Sequence, residues 1–359
     1  MEAYVIAAVV DSAERNYQER LILERLRDHS NPFEMAEEKF KKIFRLPRSG
    51  ALYLVEVLRN PRLDEGFLPK HLKILAALNL FAQGSYQTAV GQDNILGLSQ
   101  PSVSRCLALT AEEIITVLSP QYLKFPMTHE EKAAAKTDFQ DLYNMPNTLG
   151  AVDGTHVAIA KPPLNHPTAP GNLFYNRKGY YSINCQIICS ARGKIIGLNP
   201  NFPGSTHDAA IWRASNVNTV LRNEFVRGER SQWLLGDKGY PLQPWLMTPI
   251  MVPTTEAEAA YNECHTRARN VVEMCNGRLK NKFRCLHRHR SLHYQPEKAA
   301  KIILACCTLY NMFMETLGGE EDINVAEDSE QGAIVEEDTS TDFLAEAREI
   351  RQSLVNHFN

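Results

Sequence analysis

Three acidic residues stand in contexts where a folded chain seldom places a carboxylate without a use for it. Asp153, in GAVDGTHVAI, interrupts an apolar, β-branched run where strand propensity and burial both disfavour an acid. Asp237, in WLLGDKGYP, directly follows a second apolar run, and Gly236 and Gly239 beside it allow a sharp turn and the close approach of a bulky polyanion. Glu273, in RARNVVEMCNGRLK, falls in a helical pattern with Arg269 four residues before it, Asn276 three after and Lys280 seven after, all near one face. Singly, these read as a turn former or a surface ion pair. Together they are the set that a metal-dependent phosphodiester enzyme needs: carboxylates from separated, rigid segments, able to hold two divalent cations roughly 3.5–4 Å apart. Carboxylate and water ligands suit Mg²⁺ or Mn²⁺, and no other cofactor is implied.

The elements that must position these acids differ in texture along the chain. Up to about residue 130 the apolar spacing is helical, in Ala36–Phe44, Ala51–Leu58 and Leu68–Phe81. From Leu149 to about Tyr240 short β-rich runs follow one another: LGAVDGTHVAIA, YYSINCQIICS, KIIGLNPNF and QWLLGDKGY. The helical pattern returns after Pro253 and lasts to Met314. The organisation expected is a helical region over 1–130, an α/β core over 146–316, an acidic disordered linker over 319–342 and an amphipathic helix over 343–359.

In the front region, an apolar helix His71–Phe81 closes at Gln83-Gly84, a short helix is expected over Tyr86–Gly91, and LGLSQPSVSRCLALTAEEI follows. Ser99 suits an N-cap and Pro101 the first turn, which puts Ser102, Ser104 and Arg105 where a recognition helix meets bases and phosphates. About 68–118 is therefore expected to be a helix-turn-helix, with a plain three-helix packing unit as the bland alternative. The net charge of −3 speaks against a polyanionic partner only until its distribution is seen. Ten acids and no Lys or Arg lie between Gly319 and Asp342, and without that segment the remainder carries +7. Arg177, Lys178, Lys238, Arg269, Lys280 and Arg284 surround the three acids in sequence, and Arg288 and Arg290 sit in a His-rich run that reads as a basic loop in preference to a zinc site. The eight cysteines fit no disulfide framework, and no apolar stretch approaches the ~20 residues of a membrane span, so an intracellular protein with buried thiols and no membrane partner is expected.

The wording of VDGTH, NRKGYYSINCQ, FPGSTHDAAIW, LLGDKGYPLQPWLMTP and YNECHTRARNVVE, in that order, resembles the PIF/Harbinger family of transposases, and the 35 residues between Asp237 and Glu273 match the family's DD35E-like spacing. The likeness extends to the front helices and to the late ILACCTLYN. It implies an RNase H-like mixed sheet flanked by helices, preceded by an all-α helix-turn-helix domain. Asp153 would lie on the first strand, Asp237 after the fourth and Glu273 on a later helix, as catalytic metal ligands. Asp208, in GSTHDAAIW, belongs to the same pattern as a further metal ligand or supporting group, with a helix-opening acid as its bland reading. His156 is expected to face away from Asp153 in a structural hydrogen bond. Three positions depart from the pattern: Met274 for an arginine, Asn276 for an aromatic and Tyr310 for a histidine. The last two are expected to be packing changes that do not touch the acids.

The reading that follows is a transposase-derived, divalent-metal-dependent DNA endonuclease. The alternatives are a domesticated DNA-binding adaptor without catalysis and an active Harbinger transposase. Retention of all three acids favours the enzyme. Self-association into a homo-oligomer is compatible with each. No unbroken Lys/Arg-rich import segment is present. Since Harbinger-type elements encode a second protein, the resemblance implies a Myb/SANT-like DNA-binding partner that carries this one between cytoplasm and nucleus. Docking is expected on 319–359.

Overall fold

A computed structural model describes residues 31–66, 68–84, 96–167, 169–316 and 343–358, with parts of 10–25. The expected Tyr86–Gly91 helix and the acidic linker over 319–342 lie outside the described residues. The front part contains α1 (Glu37–Phe44), α2 (Arg48–Val57), α3 (Pro61–Asp64), α4 (Lys70–Gln83), α5 (Gln100–Val117) and α6 (Ser119–Tyr122). Ser99 is the residue before α5, and Val103, Cys106 and Leu107 form its buried face. The Ser99 hydroxyl bonds the Ser102 hydroxyl (2.9 Å) instead of capping a backbone N–H.

After α7 (His129–Tyr143), opened by a Thr128/Glu131 capping box, come β1 (Thr148–Ala158), β2 (Ser182–Cys189) and β3 (Ile195–Pro203), then α8 (Asp208–Arg213), α9 (Asn216–Val226), β4 (Trp233–Leu235) and β5 (Leu246–Met247). The chain ends with α10 (Glu256–Lys282), α11 (Pro296–Thr316) and α12 (Leu344–Val355). The five strands form one mixed sheet in the order β3-β2-β1-β4-β5; β1–β2–β3 is an antiparallel meander, while β4 joins β1, and β5 joins β4, in parallel. This is the mixed α/β sheet expected, consistent with a DDE nuclease fold.

Alternation along β1 separates two layers. Ala151 and Val157 face α10 and α11; Val152 faces the layer of α8 and α9, where Trp212, Leu221, Phe225 and Trp245 pack. The α10–α11 layer is continuous with the front helices, because α11 packs on α5 as well as on β3. Helix α12 turns Ala347, Leu354 and Val355 into the core against α10, and Phe343 rests on Phe225 and Trp245 with ring centres 5.6 and 5.9 Å away. Its apolar face is thus engaged within the chain and is not on offer to a docking partner.

Asn311, in the late ILACCTLYN run, is the polar rivet of this arrangement. Fully buried on α11, it accepts from the Ile195 N–H (2.9 Å) and donates to the carbonyls of Ile195 (2.6 Å) and Tyr122 (2.7 Å). One amide therefore ties α11 to strand β3 and to the end of the front helices. Asn311→Leu strands three buried backbone groups, and we expect it to lower unfolding stability by roughly 3 kcal/mol. Urea unfolding measures this; a loss below about 1 kcal/mol would show that the amide is not a structural tie.

Candidate active site

The parallel register of β1 and β4 pairs Gly150 with Leu234 and Ala151 with Leu235. Asp153 and Asp237 each follow two residues after the last registered pair, so the end of β4 brings Asp237 to the part of β1 that carries Asp153. Asp237 opens a tight turn: its Oδ1 accepts the Gly239 N–H (2.8 Å) and its carbonyl the Tyr240 N–H (3.1 Å). Glu273 approaches from α10, a 27-residue helix opened by a Thr255/Glu258 capping box.

Arg269, one turn before Glu273, joins these groups. Its guanidinium forms an ion pair with Glu273 and stands 3.7 Å from Asp153 Oδ1, with its side chain 16% exposed. Burial opposes the charge on Arg269, but the carboxylates of Asp153, Glu273 and Asp237 outweigh it and hold the pKa above the ordinary arginine value. Asn276, one turn after Glu273, donates from Nδ2 to Asp153 Oδ2 (3.3 Å), while its buried Oδ1 has no partner. The expectation that Asn276 would not touch the acids is therefore corrected. An amide three residues after Glu273 faces Asp153 because it shares that helix face, whereas a larger ring there would pack. Tyr310 is buried as expected, its hydroxyl on the Gly193 carbonyl (3.4 Å).

Asp208 lies on the other face of the sheet. It abuts Gly154, where a methyl group would overlap its carboxylate, and its Oδ1 accepts from Asn184 Nδ2 (2.8 Å). Consecutive strand residues face opposite ways, so Asp153 and the Gly154–Asp208 contact are on opposite sides. His156 shares the Asp208 side and bonds the Ser182 hydroxyl through Nδ1 (3.0 Å). Tyr240 links the two sides: burial, followed by the negative fields of Asp208, Asp153 and Asp237, holds its phenol protonated, and Gln186 Nε2 reaches its hydroxyl (3.5 Å). The polar residues Asn184 and Gln186, which alternate in SINCQIIC on this face, were not singled out from the sequence; two amides at period two within an apolar strand are the signal that marks them. Among the described residues, no three His, Cys, Asp or Glu side chains form a set that could hold one metal ion.

The expected cationic residues fall into four places. Lys238 follows Asp237. Arg269 and Lys280 lie on α10, and Lys280 is near enough to Cys185 to oppose the burial that pushes that thiol up to about 12. Arg177 and Lys178 lie between β1 and β2, and Arg288 from the loop after α10 sits over the Tyr180 ring at 4.7 Å, which joins these two loops. Arg284, Arg288 and Arg290 are exposed, and Cys285, buried against Cys306 (3.8 Å), is no partner for the nearby histidines. Arg105 is exposed and Ser102 half-buried on α5, whose Ser104 accepts from Lys298 (3.2 Å) at the start of α11, close in sequence to that basic loop.

Residues 152–311 match the model of the DDE superfamily endonuclease family. The chain is 36% identical over 288 residues to the human protein named "Putative nuclease HARBI1", covering 79% of each chain. It is 35% identical over 333 residues to the rat protein of that name, covering 91% of this chain and 92% of the relative. With "Protein ALP1-like" from Arabidopsis thaliana it shares 23% identity over 257 residues, 68% of this chain and 60% of that one. No solved structure matches.

The seat of α10 on the sheet edge carries a pH dependence. His265 is fully buried one turn before Arg269, and its Nε2–H donates to the Met247 carbonyl of β5 (3.2 Å). Burial lowers its pKa from 6.5 to about 4. The folded protein therefore keeps this imidazole neutral while the unfolded chain protonates near 6.5, so its contribution is complete above that value and is lost as pH falls toward 4. The loss is about 3 kcal/mol at most. His265→Gln is expected to flatten the stability–pH curve between 6.5 and 4, measured by urea unfolding; an unchanged slope would exclude His265 as its source.

Proposed function

From its membership of the Harbinger transposase-derived nuclease family, to which the chain belongs, we propose that it is a divalent-metal-dependent DNA endonuclease acting through Asp153, Asp237 and Glu273. One observation carries this reading: acids from β1, the end of β4 and α10 surround a single guanidinium, that of Arg269. Charge concentrated in this way has a use where a cation and a phosphodiester must meet. The donor chemistry fits Mg²⁺ or Mn²⁺: hard carboxylate oxygens, with the unpartnered amide oxygen of Asn276 beside them. Asp153, Asp237 and Glu273 do not form a ready-made set with Arg269 among them, and they would hold the ion once that guanidinium moves aside. When bound, it supplies the Lewis acidity that activates water and neutralises the developing phosphate charge.

The chain's own residues do the rest. Asn276 orients Asp153, and the Gly239 N–H orients Asp237. Arg269 withdraws from between Asp153 and Glu273 and, with Lys238 and Lys280, balances negative charge on the phosphodiester. Asp208 supports β1 and β2 from the opposite face, through its contacts with Gly154 and Asn184. Duplex DNA is held further out by Arg177, Lys178, Arg284, Arg288 and Arg290, and by Ser102 and Arg105 of the helix-turn-helix.

The test is nicking of supercoiled DNA by the purified protein with Mg²⁺ or Mn²⁺ and with chelator. Asp153→Asn, Asp237→Asn and Glu273→Gln should each slow nicking by roughly two orders of magnitude, the scale of losing one charge-stabilising group, with metal-free DNA affinity kept. Asp208→Asn should give a smaller loss. Metal-independent nicking, or near wild-type rates in any of the first three variants, would overturn the assignment and favour the adaptor reading.

We extend the proposal to a Myb/SANT-like partner that carries the protein into the nucleus. It is motivated by the lack of an unbroken basic import segment, and docking would involve 319–342 and the outward face of α12. Imaging the protein expressed alone and with such a partner tests it, and strong nuclear accumulation of the protein alone would sink it.

A further inference from the structure

We propose that Arg269 is an internal counterion whose displacement couples the divalent cation to the DNA phosphodiester, each ligand tightening the binding of the other. The proposal rests on the metal-dependent reading above and names what regulates that site.

The first observation is how the carboxylate oxygens are engaged. Asp153 Oδ1 faces the Arg269 guanidinium (3.7 Å), and Asp153 Oδ2 accepts from Asn276 Nδ2 (3.3 Å). Glu273 Oε1 pairs with the same guanidinium, and Asp237 Oδ1 accepts the Gly239 N–H (2.8 Å). The oxygens that a cation would take on Asp153 and Glu273 are therefore the ones that Arg269 holds. An ion entering beside the guanidinium would also meet a like charge at close range. Metal and arginine thus compete for one place.

The second observation is what Arg269 needs in order to leave. Its side chain is largely buried, so the guanidinium has little water to fall back on when it gives up two carboxylates. It needs another anion, and phosphodiester oxygens match the planar N–H groups of a guanidinium. Glu273, with its side chain 36% exposed, marks the open side of the site, and Asp153, at 12%, marks its floor. Arg269 lies one turn before Glu273 on the same face of α10. Rotation about its own side-chain bonds can move the guanidinium toward the open side, while buried Tyr261, Val271 and Val272 keep the helix seated.

A phosphodiester that draws off Arg269 frees Asp153 and Glu273 for the cation, and a cation on those acids frees Arg269 for the phosphodiester. By linkage, each ligand raises the affinity for the other by the same factor. Away from DNA, the chain's own cation keeps the acids occupied, so the site is loaded where there is a bond to cut.

The experiment is Mn²⁺ titration of the purified protein followed by electron paramagnetic resonance, with and without a short duplex. Wild-type protein should bind Mn²⁺ at least about tenfold more tightly with the duplex, after subtraction of the ion held by the duplex alone. Without DNA, Arg269→Gln should bind Mn²⁺ at least about tenfold more tightly than wild type, because the competing charge is gone. Its gain from the duplex should be smaller than the wild-type gain. An arginine that merely builds the site predicts the opposite sign, weaker Mn²⁺ binding by the variant. Thermal unfolding covers the case of poor folding: Arg269→Gln should melt below wild type in chelator and recover with Mn²⁺, which takes the guanidinium's place among the acids. A variant that binds Mn²⁺ no more tightly than wild type, or that Mn²⁺ fails to restore, would overturn the counterion. So would a wild-type Mn²⁺ affinity unchanged by the duplex, and in each of these cases the nuclease reading stands. Absence of Mn²⁺ binding by the wild type under both conditions would overturn both.

Discussion

Gathering carboxylates in a half-buried place is costly, because like charges repel and each loses water. Arg269 offsets that cost here. It lies on the same helix face as Glu273, reaches Asp153 on β1 and feels Asp237 beyond β4. A lysine would offer a single point charge; the guanidinium has several N–H groups in one plane and can serve two acids at once. Buried Tyr261, Val271 and Val272 seat α10 on the sheet, and the shared cation lets the acids of three elements be tolerated there.

The sheet works as a partition. On the α10 side Asp153 meets Arg269 and Asn276; on the α8 side Asn184, His156 and Asp208 form a polar cleft. Gly154 makes the second side possible, because the Asp208 carboxylate occupies the space a side chain would take. Tyr240, buried at the turn after Asp237, sits within the field of acids from both sides.

The front helices are structurally part of this machine. Helix α11 packs on α5 as well as on β3, and the Asn311 amide joins the Tyr122 carbonyl to both backbone groups of Ile195. Orientation of Ser102 and Arg105 relative to the sheet is therefore fixed by buried contacts and not left to a linker. The same economy of surface appears at the other end, where Phe343 and the apolar face of α12 close the core.

The sequence by itself determined the element order and the family, and it singled out three acids by local signals: an Asp inside an apolar strand run, an Asp between glycines, a Glu at helical spacing from Arg269. It also identified the buried face of α5, since Val103, Cys106 and Leu107 recur at helical period. What only the tertiary structure decided depends on register and on which face of the sheet a residue takes. Asn276 appeared to be a packing change, yet it donates to Asp153, 123 positions away in sequence. Asp208 falls across the sheet from Asp153 because its contact is with Gly154, one residue on, and a single step along a strand reverses the side. The amphipathic pattern of 343–358 was legible, but not what covers it, since an apolar stripe reads the same whether its partner is another protein or α10 of its own chain.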